Sequence, residues 1–281
     1  MYARPRSIDE ALAALAGGNA LALCGGTDLF PAHAGRPFSR PVVDVSAVAG
    51  LRGISFDGAM YRIGGTTTWS DIQAAALPSA FDGLKAAGRE VGSPQIQNRG
   101  TIAGNLCNAS PAADGVPPLL SLDASVELRS FRGTRVLPLS GFITGYRETQ
   151  LAPDEILAAV LVKAGASDAR SSFVKLGTRR YLVISILMAA ALIERGADGR
   201  ISRAAIAVGA ASPVAKRLTV LENDVAGLAA GIAPSTIVAP HHVAELSPID
   251  DVRATAAYRR EAAVAIVGEA LDRAAGVPFL V

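Results

Sequence analysis

The stretch "NRGTIAGNLCNASPAAD", Asn98 to Asp114, decides how this chain is read. It sets Gly100 and Gly104 among three asparagines, Thr101 and Ser110, and it ends on an acid. Such residues build little core. Small residues let a backbone approach another group closely, and the amides and hydroxyls bring hydrogen-bonding capacity. Two readings fit. One is a loop wrapped around a ligand, with Asn105, Asn108, Ser110 and Asp114 toward it. The other is an Asn/Ser-rich Ω-loop that satisfies its own backbone.

Working outward, two more glycine loops follow buried strands. In "CGGTDLFP", residues 24–31, Gly25 and Gly26 are free to take φ > 0 and turn successive N–H groups into an anion nest, with Thr27 and Asp28 adding side-chain contacts. The same string also reads as a tight strand-to-helix turn capped by Thr27 or Asp28. In "IGGTTTWSDI", residues 63–72, the glycines end a strand, and Thr68 with Asp71 makes a capping box, so this turn reads as structural.

The rest of the pattern is α+β. Ser7 and Glu10 form a capping box for the helix "IDEALAAL". "ALALCGG" and "PVVDVS" read as strands of a small lobe. "GISFDGAMYRIGG" is a hairpin turning at Asp57-Gly58. "FDGLKAAGRE" and "GVPPLLSLD" read as helices; "ASVELRS", "TRVLPLS", "DEILAAVLV", "SSFVKLGTRR" and "ISRAAIAVGAAS" read as strands. "YLVISILMAAALI", Tyr181 to Ile193, reads as one long buried strand, and residues 226–240 as turns and short helix. "DVRATAAYRREAAVAIVGEALDRAA" is an amphipathic helix. The division expected is a lobe over 1–52, a larger lobe over 53–172 and a C-terminal domain over 173–281.

Composition narrows the function classes. The 281 residues are 50% hydrophobic and 19% charged with net charge +2, so the chain buries sizeable cores and is not disordered. No block of Lys and Arg suggests nucleic acid or a polybasic membrane contact. The longest apolar run is too short to span a bilayer, and the N-terminus shows no signal peptide, which predicts a cytoplasmic protein. Cys24 and Cys107 are too few for an iron–sulfur cluster. There is no GxGxxG or GxxxxGK[ST], so a Rossmann or P-loop nucleotide site is disfavoured. His33, His241 and His242 lack metal-ligand company, and the 241–242 pair reads as a surface feature. No metal site and no catalytic triad is predicted.

With these loops in hand, the chain resembles the FAD-binding medium subunit of molybdenum hydroxylases, the xanthine dehydrogenase and carbon monoxide dehydrogenase type. The resemblance rests on "CGGTDL", "IGGTTTWSDI", "SPQIQNRGTIAGNLCNASPAAD", "GYRETQLAPDEIL" and "FVKLGTRR", in that order, and covers essentially the whole chain. It implies a vanillyl-alcohol-oxidase-like (PCMH-type) fold: two N-terminal α/β lobes that hold FAD and a C-terminal sheet-plus-helices domain over the flavin. It maps the FAD diphosphate onto Ala22, Leu23, Cys24, Gly25, Gly26, Thr27, Asp28 and Leu29, and onto Thr101, Ile102, Ala103, Gly104 and Asn105. Asp114, Leu157 and Lys175 match positions near the flavin ring, Lys175 beside its pyrimidine edge. From its residue type alone, Lys175 reads as a surface lysine at a strand end. Two backbone nests facing each other would neutralise the diphosphate. Ala103 departs from the family's glycine, which matters if the backbone there is left-handed.

The function implied is that of an electron-transfer subunit in a heterotrimer. It takes electrons from a 2Fe–2S small subunit, which draws them from a molybdopterin-containing large subunit, and passes them to a soluble acceptor (NAD+, O2 or quinone). Two alternatives stay open at this point: a self-sufficient flavin oxidase of the vanillyl-alcohol oxidase type, and a cofactor-free scaffold subunit.

Overall fold

Asp57 opens its turn by accepting the Ala59 and Met60 N–H groups, which brings Ile54–Phe56 back along Met60–Gly64 with Ile54 opposite Ile63. This hairpin is one side of a five-stranded antiparallel sheet. Its order is Ile54–Phe56, Met60–Gly64, Ile156–Lys163, Ser125–Ser130, Gly133–Pro138. The central strand, Ile156–Lys163, is apolar at nearly every position because both of its faces are covered. A bulge falls between Leu157 and Ala159.

The computed structural model describes residues 1–278. They fall into two compact units, each taken separately below. The first comprises Met1–Ala75, Ser93–Ala109 and Ala124–Ala164; the second comprises Ala76–Gly92, Ser110–Asp123 and the chain from Gly165 onward.

Besides the five-stranded sheet, the first unit holds a parallel three-stranded sheet with Val42–Asp44 between Tyr2–Ala3 and Leu21–Leu23. The helix Ile8–Leu15 starts where the sequence marks it: Ser7 Oγ accepts the Glu10 N–H at 3.2 Å, and the Glu10 carboxylate reaches back to the N–H groups of Arg6 and Ser7. Its Ala11, Leu12 and Leu15 bury against Val43, Val48, Leu51 and Ile156.

The second unit is a four-stranded antiparallel sheet, Arg170–Leu176, Leu187–Arg195, Ile201–Gly209 and Lys216–Arg217, with helices on both faces. The helix Ala256–Ala275 begins at Thr255, whose hydroxyl accepts the Tyr258 N–H, and ends at Gly276 with φ +73°. It lays Ala263, Val267, Ala270 and Leu271 on Leu187, Ala189, Ala191 and Ile206. The opposite face takes the helices Asp82–Glu90 and Val116–Ser121, with Ala87 against Phe173, Met188 and Ala190. Alanines at 189, 190, 191, 204, 205 and 207, all buried, let helices approach the sheet closely from both sides.

One element departs from the sequence pattern. The apolar run from Tyr181 is not all strand: pairing begins at Leu187, opposite Leu176, and Tyr181, Leu182 and Ile184 are exposed. The physical reason is a turn. The Arg179 guanidinium donates to the Leu182 carbonyl, and Leu182 takes φ +53°, so the segment cannot run extended. Among the described residues, no helix is long and apolar enough to cross a membrane.

Candidate functional site

In the first unit the strand Leu21–Leu23 delivers the chain to Cys24-Gly25 under another piece of backbone. A Cβ on Gly25 would lie 2.0 Å from the Arg99 carbonyl oxygen and 3.1 Å from Gly100 Cα, so no other residue fits that crossing. The expectation that both glycines take φ > 0 holds only at Gly26, at +76°. Asp28 stands at the N-cap of the short helix Leu29–Ala32 but makes no capping bond. Its Oδ1 instead accepts from Asn108 Nδ2 at 3.0 Å, and Asn108 Oδ1 accepts from Arg147. Among the described residues, the N–H groups of Gly26, Thr27 and Asp28 have no acceptor. Such a row of open donors has the character of an anion nest.

The second string behaves differently. Residues Ile102–Asn108 form a helix rather than a loop, a correction to both readings of that stretch. Thr101 caps it, accepting the Gly104 N–H at 3.1 Å and donating to Cys24 Sγ, while Ile102 and Leu106 bury one face. That Thr, followed by apolar residues four apart, was the overlooked signal. The N–H groups here are already bound: Ile102 to the Thr67 carbonyl, Ala103 to Gly65, Gly104 to the Thr101 hydroxyl, Asn105 to the Thr101 carbonyl. The picture of two backbone nests facing each other is therefore corrected: the donors of Ile102 to Asn105 are spent within the chain, whereas those of Gly26, Thr27 and Asp28 are open. What the helix offers is the Asn105 side chain, whose Oδ1 is buried with no partner. Such an acceptor is costly to leave unmade, and it suits a ligand hydroxyl better than a phosphate, which has no proton to give.

Ala103 raises no backbone difficulty. It sits in a right-handed helical turn, and its Cβ occupies the space beside Gly65, where another Cβ would come within 3.2 Å. Leu157 is buried in the central strand, and its carbonyl lies 2.3 Å from where a Gly65 Cβ would be. Ala22 and Leu23 belong to the strand that feeds the nest. Burial pushes the Cys24 thiol up and the Cys107 thiol to about 12, which disfavours the thiolate at both.

In the second unit, Asp114 and Lys175 meet. The residue-type reading of Lys175 as a surface lysine is overturned: its side chain is 6% exposed, that of Asp114 8%, and Nζ lies 2.8 Å from Asp114 Oδ2. Lys175 Nζ also donates to the Glu90 carbonyl at 3.3 Å. Ser185 Oγ donates to Asp114 Oδ1 at 2.7 Å. Burial pushes the Asp114 carboxyl above its usual range, against the pull of Lys175 and Ser185. Ser185 was missed, because the apolar run around it gave no polar signal.

The histidine pair is also corrected in part. His241 is exposed, but His242 is buried, with Nδ1 accepting the Ala239 N–H and Nε2 2.9 Å from Asp224. Asp224, His241 and His242 bring ligand atoms within 4.8 Å of one another, yet both His242 nitrogens are committed, so His242 has no free lone pair to offer a metal.

The family model for the FAD binding domain in molybdopterin dehydrogenase matches residues 1–162, and that for the CO dehydrogenase flavoprotein C-terminal domain matches residues 172–274. The chain belongs to this family. It is an FAD-binding flavoprotein subunit of a molybdopterin-dehydrogenase type of oxidoreductase, with an α+β FAD-binding fold. It is 31% identical over 264 residues to a putative xanthine dehydrogenase FAD-binding subunit of Escherichia coli K12, covering 92% of this chain and 90% of the relative. It is 29% identical to the carbon monoxide dehydrogenase medium chain of Hydrogenophaga pseudoflava, covering 97% and 96%. Among solved structures, the carbon monoxide dehydrogenase of Hydrogenophaga pseudoflava superposes with TM-score 0.87 at 28% identity, covering 97% of this chain and 96% of that one. Quinoline 2-oxidoreductase of Pseudomonas putida 86 superposes with TM-score 0.86 at 25% identity, covering 98% and 96%.

Proposed function

We propose that this chain is the medium subunit of a molybdenum hydroxylase heterotrimer and carries electrons through FAD. It would receive them from a 2Fe–2S subunit, itself served by a molybdopterin-containing subunit, and deliver them to an external acceptor. The single observation that carries the reading is the row of unpartnered N–H groups at Gly26, Thr27 and Asp28, which a diphosphate would satisfy. Gly25, just before that row, passes so close to the Arg99 carbonyl that a Cβ there would clash with it.

FAD supplies the chemistry when bound, taking electrons singly and releasing them in pairs. The chain's own residues bind and orient it. The segment Ala22–Leu29 would seat the diphosphate, Thr101–Asn105 would present the Asn105 acceptor to a sugar or ribityl hydroxyl, and Leu157 would support the fold behind the seat. In the second unit, Asp114 and Lys175 are our candidates for the ring end, where a cation beside the pyrimidine edge favours the anionic reduced flavin.

The test is Gly104→Val. A Cβ at Gly104 meets the Thr101 hydroxyl at 3.0 Å and no other residue outside its own helix turn, so circular dichroism and the melting midpoint are read alongside to establish that the variant folds. The added side chain projects at the helix start beside Asn105. We expect a folded protein that no longer retains FAD, read from its visible spectrum and by acid release of flavin. A yellow, FAD-loaded variant would overturn the assignment of this helix.

A further inference from the structure

The second unit has a basic feature beyond the Asp114–Lys175 pair. An open cavity of about 500 Å³ lies among the end of helix Asp82–Glu90, the end of strand Arg170–Leu176 with the turn after it, and the last turns of helix Ala256–Ala275. Its cationic lining is Arg89, Arg179, Arg180, Arg273 and Lys175; its acids are Glu90 and Glu269. Lys175 is answered by Asp114, and Arg273 by Glu269. Among the described residues, no carboxylate lies within ion-pair distance of Arg179 or Arg180.

Arg179 is nevertheless held in place. Its Nε donates to the Leu182 carbonyl at 3.2 Å, and its Nη2 donates to the same oxygen. That carbonyl is presented by a residue at φ +53°, an uncommon conformation for leucine. Val183 closes the same turn so tightly that a Cβ on Gly177 would come within 2.5 Å of it. Arg180 lies over the exposed Tyr181 ring, 5.3 Å from its centroid. A strained turn that fixes a guanidinium without a carboxylate is backbone strain of the kind functional sites keep. A fixed guanidinium fork matches two oxygens of a phosphate at once. Ala86, Phe173 and Leu176 add apolar wall, and the volume lies within the roughly 300–1,000 Å³ of small-molecule sites.

We propose that this cavity binds a phosphate-bearing anion of nucleotide size, gripped by Arg179 and Arg180. Diphosphate chemistry has two sources here, the chain's own FAD or a free nucleotide. The free nucleotide is the occupant we assign, because the Gly26–Asp28 donors already answer the FAD diphosphate; that choice rests on the reading of the first unit given above.

The experiment is a calorimetric titration of the full-length chain, FAD-loaded and flavin-free, with sodium pyrophosphate and then ADP. Saturable binding to both forms is expected. Arg179→Ala with Arg180→Ala should weaken it about tenfold or more, as expected for lost hydrogen bonds to a charged group, with the flavin spectrum unchanged. Arg180→Ala alone, which breaks no backbone contact, gives the same direction if the 177–184 turn rearranges in the double variant. Three results would overturn the proposal: no saturable binding to the FAD-loaded chain, equal affinity in the variants, or binding to the flavin-free chain that FAD abolishes, which would give the cavity to the cofactor. Failure to load FAD is seen separately in the visible spectrum. It counts against the seat in the first unit, while the arginine dependence is still read on the flavin-free chain.

Discussion

Lys175→Met isolates the energetics of the buried pair. The substitution keeps the aliphatic stem and removes an ammonium that sits 2.8 Å from Asp114 Oδ2 and 3.3 Å from the Glu90 carbonyl. It leaves the Asp114 carboxylate buried, with the Ser185 hydroxyl still donating to its Oδ1. Breaking a buried ion pair from one side costs about 3–5 kcal/mol, most of it the uncompensated charge left behind. At roughly 2–4 °C per kcal/mol for a body of 150–250 residues, that is a melting midpoint about 6–20 °C lower. Two controls follow from the geometry. Adding Asp114→Asn should restore much of the loss, because an amide keeps the Ser185 contact without a charge. Acidification should also help the single variant. A carboxyl whose pKa is raised on folding contributes stability that is present below its unfolded value and lost as pH rises through the folded one. Without Lys175 that rise is larger, so the gap to wild type should shrink as pH falls. The assay is thermal unfolding by circular dichroism at pH 5 and pH 8, on both single variants and the double. A midpoint shift below about 2 °C, with no recovery in the double variant, would refute a charge-paired core and leave only packing.

Three further outcomes follow. Gly25→Ala puts a methyl 2.0 Å from the Arg99 oxygen and forces that crossing apart by roughly 1.3 Å, at a cost of about 1–3 kcal/mol or more; FAD affinity, measured by flavin fluorescence, should fall steeply, and unaltered affinity would sink the seat. Burial pushes Asp251 up, but the N–H groups of Arg253 and Ala254 and the guanidiniums of Arg253 and Arg259 outweigh it and hold its carboxyl at about 2; the stability it lends is present above the usual carboxylate range and lost as pH falls through about 2, so Arg259→Met should move the acid unfolding transition to higher pH, and an unmoved transition would contradict this. Cys107, with its thiol at about 12, should resist iodoacetamide at pH 8 in the native protein and react fully in urea; rapid native alkylation would show that the site opens.

Much of this protein is legible residue by residue. Ser7 with Glu10, Thr68 with Asp71, Thr255 at the last helix and the Asp57-Gly58 turn each act through hydrogen bonds spanning only a few positions, so the sequence alone determines those starts and turns. By composition the glycine pair at 25–26 and the string 98–114 leave a ligand loop and a purely structural turn both open; FAD is what their family resemblance implies, and the matching FAD-binding family model bears it out. What the sequence could not decide depends on the path of the chain. Gly25 is needed for a crossing under Arg99, 74 positions further along the chain. The donors of Ile102 and Ala103 are consumed by carbonyls at Thr67 and Gly65, so the second nest disappears on folding. Asp114 meets a lysine 61 positions on and a serine 71 positions on. The strand that seemed to begin at Tyr181 begins at Leu187, because an arginine side chain captures the backbone carbonyl of Leu182, one residue beyond the strand's expected start. Local hydrogen bonds are set by the neighbours a residue is born with; close approach, buried charge pairs and the fate of each backbone donor are settled only when distant segments share one interior.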